Sequence, residues 1–402
     1  MWTLWRVFWR SASWEWRAIV RHRLLRAMLL WVPAIAVGFV WYTFSASQIH
    51  DLPVGVLDKD RSTLSRQLLR LVDASPSVAI GEHYRDGQEM QAALRGSQVF
   101  GVLVIPQDFS RRVKRLQSSP VKLVVNAQFG THSGIIQSGV GSAVRTFSAG
   151  IELKLRQKMG MSRQQARAAI TPIFPDSKMA FNLGLSYQLF LASTIIPALL
   201  HVLATAVGVG AVGRELRGHS IGRWFTLVSG HSDKHMPRFL LMWAALMGKL
   251  SWHLLAFTLW ISVALILGAN YHHPDWHALG ITALNAFLLM ALSLWLGVFL
   301  SASVMSMRMG LSNAALLTAP AYAFSGITYP IVAMPKAAQT IAMLLPLTHY
   351  LNLQIAQLQT PIGWRAALPV TYGFVLAVLA MIVLGTLTSL RALRHTHRWG
   401  GR

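Results

Sequence analysis

GLSNAALLTAPAYAFSGITYPIVAMPKAAQTIAMLLPLTHY, residues 310–350, decides the fold. It starts as an apolar run suited to a membrane. Pro320, Gly326, Pro330, Pro335 and Pro346 then interrupt it, with Pro361 just beyond. Lys336 is the sole charge between Arg308 and Arg365. A continuous helix does not survive so many breaks, because proline lacks a backbone N–H and its ring meets the preceding turn. Irregular backbone at membrane depth persists only where protein or a wet cavity satisfies its polar groups. The stretch predicts a span followed by short half-inserted helices facing outward.

The composition agrees. Of 402 residues, 53% are hydrophobic and only 13% charged, which places the chain among membrane proteins. With no cysteine, disulfides, thiolate catalysis and cysteine-ligated metal centres are excluded.

Residues 1–23 read as an amphipathic interfacial helix, with Trp2, Trp5, Trp9 and Trp16 as anchors beside Arg6, Arg10, Arg17 and Arg21. Residues 24–49 form the first expected span. Its uncharged run Ala27–Ile49 exceeds the apolar core of a signal peptide, although Ser45-Ala46-Ser47 looks like a cleavage site. Residues 50–186 hold 10 of the 14 acidic residues and alternate strand-like runs (52–58, 99–106, 121–128) with helical ones, predicting an α/β domain of about four short strands. A helical stretch then leads to about Arg167. Residues 187–212 are a second span whose far half is rich in small residues (Ala204, Ala206, Gly208, Gly210, Ala211), predicting a tight helix pair or a subunit contact. A basic loop (213–238), an interfacial segment with span three (239–268), span four (278–303), span five (310–328), broken helices (329–365), span six (366–390) and a basic tail (391–402) complete the chain. Lys249, near one end of span three, is expected to snorkel toward headgroups.

Charge supports this partition. The inner pieces carry 17 Lys and Arg, including Arg391, Arg394, Arg398 and Arg402, whereas the short outer loops carry only Lys336 and Arg365. That asymmetry places both termini in the cytoplasm. It also makes a nucleic-acid reading of the net charge of +23 unnecessary, since basic residues meet anionic membrane lipids. The fold class is therefore an α-helical polytopic membrane protein with six spans and an inserted extracytoplasmic α/β domain.

At Phe324-Ser325-Gly326, Pro330, Met334-Pro335 and Pro346-Leu347-Thr348-His349-Tyr350, the chain resembles permease subunits of type-2 ATP-binding-cassette exporters. The Asp58-Lys-Asp60 and Phe100–Pro106 patterns resemble the external domain of the family's long-loop branch. The resemblance implies an elbow helix at residues 1–23. It also implies a coupling loop at Arg214, Glu215, Gly218, Arg223 and Trp224, and an outer gate at Phe324, Ser325, Gly326, Pro330, Pro335, Pro346, His349 and Tyr350. The expected partners are a cytoplasmic ATPase subunit, a second permease protomer and a periplasmic adaptor, in a bacterial inner membrane. The expected cargo is hydrophobic, drug-like or lipid-like. Arg217 departs from the pattern, where a second acid is usual, as does His219-Ser220, which leaves the coupling register open. No G-x-x-x-x-G-K-[ST] occurs, so ATP and magnesium are expected on the partner and no cofactor on this chain.

Other motifs carry less. Gly208-Val-Gly210-Ala-Val-Gly213 matches a dinucleotide fingerprint but ends an apolar run instead of following a strand. Asp58-Lys-Asp60 has the start of a magnesium-dependent phosphatase motif, yet no later acidic pair follows, so Asp60 or Ser62 is expected to cap the next helix. His272, His273, Asp275 and His277, like His231, Asp233 and His235, offer metal-type ligands without regular spacing. The alternative from another class is a membrane-anchored receptor or assembly platform, for which six spans are excessive.

Overall fold

A computed structural model of the chain describes residues 2–115, 117–165, 182, 186–230, 236–269, 275–360 and 362–399. His231, Asp233, His235, His272, His273, Arg167, Pro361 and Arg402 lie outside the described residues. The chain forms two compact units, one of residues 1–47 and 180–402, the other of residues 48–179.

The first unit opens with α1 (Trp2–Arg21), followed by α2 (Arg23–Thr43). Pro33 in α2 has no N–H to give the carbonyl of Leu29, and the helix widens into a π turn over Ala27–Trp31. The indole of Trp260 donates to that carbonyl instead, at 2.9 Å.

The second unit contains β1 (Leu52–Asp58), α3 (Thr63–Asp73), β2 (Val78–His83), α4 (Gly87–Arg95), β3 (Gly101–Ile105), α5 (Phe109–Lys114), β4 (Lys122–Val125) and α6 (Gly130–Lys158). The sheet order is β2-β1-β3-β4, parallel except for the antiparallel β3/β4 pair. Side chains alternate across the pleat. Val54, Val56, Leu103 and Ile105 face a core shared with Leu68 of α3 and Ile136 of α6, while Leu57 and Val102 face Ala93 of α4.

The first unit resumes with α7 (Gln188–Arg217), α8 (Ile221–Ser229), α9 (Arg238–Ala269) and α10 (Trp276–Val304). Next come α11 (Met307–Thr318), α12 (Lys336–Leu344), α13 (Pro346–Leu358) and α14 (Leu368–Arg394). Among the described residues five helices are long and apolar enough to cross a membrane: α2, α7, α9, α10 and α14 with its preceding turn. The expected fifth span differs. Helix α11 has 12 residues and passes into 3-10 turns at Ala319–Ala321 and Ala323–Ser325, because Pro320 and Gly326 stop it. Residues 239–268 also differ, forming one helix from Arg238 instead of an interfacial segment and a separate span.

Helices α7 and α10 form the buried centre. A Cβ on Gly208 would lie 2.2 Å from the carbonyl oxygen of Leu294, and one on Gly297 would lie 2.2 Å from that of Thr205. The small-residue stripe of α7 therefore makes a helix pair within the chain, where backbones touch without side chains between them. His201 Nδ1 and Ser293 Oγ meet across this pair at 2.7 Å. Pro197 in α7 deprives the Ser193 carbonyl of its helical donor, and Gln354 Nε2 of α13 supplies one at 2.8 Å.

Gly297→Leu should destabilise the protein by about 1–3 kcal/mol or prevent its folding, whereas Gly210→Ala, with no atom within 4 Å of the added Cβ, should be neutral. Thermal unfolding in detergent compares the two, and equal effects would refute the close-packing assignment. Gln354→Leu should cost about 1 kcal/mol by orphaning the Ser193 carbonyl, read in the same assay as a lowered melting temperature.

Candidate functional site

The site grows from α1. Val7, Ser11, Glu15 and Ile19 recur every four residues and form its buried stripe. Trp2, Trp5, Trp9 and Trp16 remain exposed on its other side. Gly248 lets α1 lie directly on α9, since a Cβ there would come 2.1 Å from the Phe8 carbonyl oxygen. Trp252 fastens the contact, donating from Nε1 to the Ala12 carbonyl at 3.1 Å.

This approach carries Glu15 into the bundle, with no exposed surface. One of its oxygens, Oε2, forms an ion pair with Lys249 Nζ at 2.8 Å. The other accepts from His253 Nε2 at 2.9 Å and from Arg214 Nη2 of α7. Burial by itself would raise the Glu15 carboxyl. The charges and hydrogen bonds of Lys249, His253 and Arg214 outweigh it and hold the group well below the usual carboxylate range. Lys249 also donates to Glu215 Oε1 at 2.8 Å, an atom that accepts from Trp14 Nε1 at 3.1 Å. Ser220 donates to the other Glu215 oxygen, and Arg214 Nε anchors on the Gly210 carbonyl at 2.8 Å.

Lys249 does not snorkel. It is 1% exposed, and its ammonium stands 4.9 Å above the ring of Trp224 on α8. Two carboxylates and an indole face satisfy it internally, so it has no reason to reach the lipid surface. Trp224 and Arg223 are likewise separated. Trp224 is fully buried against the network, while Arg223 lies on the exposed side of α8 with Thr226 and Leu227. Gly218 caps the C-terminal end of α7, donating to the Arg214 carbonyl at 2.9 Å.

A model of the ABC-2 family transporter protein matches residues 23–387 of the sequence. The chain belongs to the ABC-2 transporter family. It is also similar to a probable multidrug ABC transporter permease, YbhR, of Escherichia coli K12, at 20% identity over 350 residues covering 86% of this chain and 88% of the relative. The corresponding protein of Escherichia coli O157:H7 matches equally.

In this ABC-2 permease the residues read as an outer gate are divided. Ser325 Oγ donates to the Tyr322 carbonyl at 2.6 Å, and Gly326 adopts φ +86°, a left-handed turn that lets the chain reverse. Pro330 begins the 3-10 turn Ile331–Ala333 and Pro335 precedes α12. Pro346 starts α13 and His349 Nε2 meets the Met343 carbonyl at 2.8 Å. Both residues line a cavity of about 420 Å3 with Phe374 of α14. Tyr350 departs from that surface and is buried in the bundle, and Phe324 is half-buried.

The remaining motifs are structural. Asp58 accepts from the backbone N–H groups of Asp60 and Arg61 at 2.9 and 3.0 Å and from Ser65 Oγ at 2.6 Å. Ser62 caps α3, accepting from Ser65 N at 3.1 Å, and Asp60 accepts from Ser110 N. Asp275 and His277 are exposed and 3.3 Å apart, and among the described residues no three His, Asp or Glu side chains form a metal set. Sequence reasoning missed Glu15, His253, Trp14 and Ser220 as site residues. The available signal was Glu15 itself, the sole acid before residue 51, set on the apolar stripe of an amphipathic helix.

Lys249→Met should destabilise the protein by about 3–5 kcal/mol, because two buried carboxylates lose their shared cation. Adding Glu215→Gln should recover part of the loss. A melting temperature unchanged by Lys249→Met would show that the network is not the clamp described.

Proposed function

We propose that this chain is the membrane-spanning permease of an ATP-driven exporter in a bacterial inner membrane. In this reading α11 and its 3-10 continuation make a sixth crossing, both termini are cytoplasmic, and the unit of residues 48–179 is periplasmic. Two such protomers, identical or paired with a sister chain, work with two cytoplasmic ATPase subunits that bind the nucleotide and magnesium. A periplasmic adaptor receives the cargo. The relative's name as a probable multidrug permease supports a hydrophobic, drug-like or lipid-like substrate.

The observation that carries the reading is the junction at Lys249. One buried ammonium links α1, α7 and α9 by charge and α8 through the Trp224 ring. Helix α8 is short, with Trp224, Phe225 and Val228 inside and Arg223, Thr226 and Leu227 outside. An ATPase seated on the outer face would push on a helix whose inner face is tied to a membrane-crossing helix pair. Packed, charge-paired elements move as bodies, so the push reaches α7 and the close-packed α10 behind it.

Arg223→Glu combined with Leu227→Asp should abolish co-purification of a P-loop ATPase with C-terminally tagged protein, without changing membrane level or melting temperature. Mass spectrometry of the eluate reads the result. An ATPase retained at wild-type amount would remove α8 as the docking helix, and no ATPase with the wild-type protein in several mild detergents would remove the exporter reading.

A further inference from the structure

Beside the Lys249 network, α1, the end of α7 and the start of α8 enclose an open-sided cavity of about 310 Å3. Arg17, Arg21 and His22 line one part of it and Arg214 another, with Trp14 and Ser220 completing the wall. Its one acid, Glu215, already accepts from Lys249, Trp14 and Ser220. Among the described residues neither Arg17 nor Arg21 meets a carboxylate. Arg17 donates from Nε to the Ser13 carbonyl and rests 6.0 Å over the Trp14 ring, which orients its guanidinium and leaves the terminal nitrogens free. Ser220 is also the N-cap of α8, so the first-turn amides of that helix add partial positive charge.

We propose that this cavity is a binding site for an anionic phosphate group, carried by a phospholipid headgroup or by a free phosphate compound. Guanidinium groups donate strongly to phosphate oxygens, and Arg214, from a side chain 25% exposed, keeps Nη1 for that role while Nε and Nη2 hold Gly210 and Glu15. The tryptophan face of α1 favours the headgroup zone, which brings a lipid phosphate to the cavity. An occupant would share Arg214 with the buried network. The site stands without the transport reading, because its test measures binding alone.

The full-length protein in neutral detergent is titrated with phosphatidylglycerol or phosphatidylcholine in mixed micelles, and bound lipid is counted by native mass spectrometry. The wild type should retain phosphatidylglycerol in preference to phosphatidylcholine. Arg17→Ala with Arg21→Ala should weaken that retention by at least about tenfold, and Arg21→Gln alone should weaken it in the same direction. Arg23→Ala with Arg26→Ala, equally exposed but outside the cavity, should retain it. Displacement of the lipid by excess inorganic phosphate identifies a site open to free phosphate, and resistance identifies one that takes the headgroup only. Equal loss in both arginine pairs, or a wild type that neither prefers phosphatidylglycerol nor binds inorganic phosphate, overturns the proposal.

Discussion

The Lys249 ammonium sits between the carboxylates of Glu15 and Glu215, 2.8 Å from each, in a region almost without solvent. Moving any one of these ions from water to an interior costs roughly several kcal/mol, and the attraction between them repays this only when geometry and hydrogen bonds are complete. Hydrogen bonds from Arg214, His253, Trp14 and Ser220, drawn from α1, α7, α9 and the loop before α8, supply part of that support. None of these helices can rotate or slide alone without stranding a buried charge. That constraint positions α8, because Trp224 packs its ring on the same ammonium.

A second constraint acts on the backbone. Pro33 and Pro197 each leave a carbonyl without its helical donor, and in both cases a side chain from another helix donates, Trp260 to Leu29 and Gln354 to Ser193. Each repair ties two helices at the break. The glycine contacts of α7 with α10 require the opposite, a straight run of close backbone. Helix α7 is accordingly widened at its Gln188–Ala192 end and tightly packed toward Arg217, where it meets the charge network.

Much of the architecture was legible in the residues. Uncharged runs mark α2, α7, α9, α10 and α14 because lipid demands about twenty apolar residues in succession. Apolar runs of strand length coincide with β1, β3 and β4. The prolines and Gly326 fall at the breaks that divide residues 310–358 into α11, 3-10 turns, α12 and α13. Lys249 was misjudged because a lysine near a span end has two ways to satisfy its charge, and spacing along one helix does not reveal a carboxylate arriving from another. Trp224 was grouped with Arg223 for a similar reason. Adjacent helix positions point about 100° apart, and only packing decides which faces inward.

The sequence by itself determined which segments are apolar enough to span, where the chain must break, and which ends are basic, because these depend on local composition and backbone chemistry. Tertiary structure alone decided that Glu15 of α1 shares the Lys249 ammonium with Glu215, residues 200 or more positions further on. That pairing follows from the absence of a side chain at Gly248, which lets two helices touch and turns three isolated charges into one buried network.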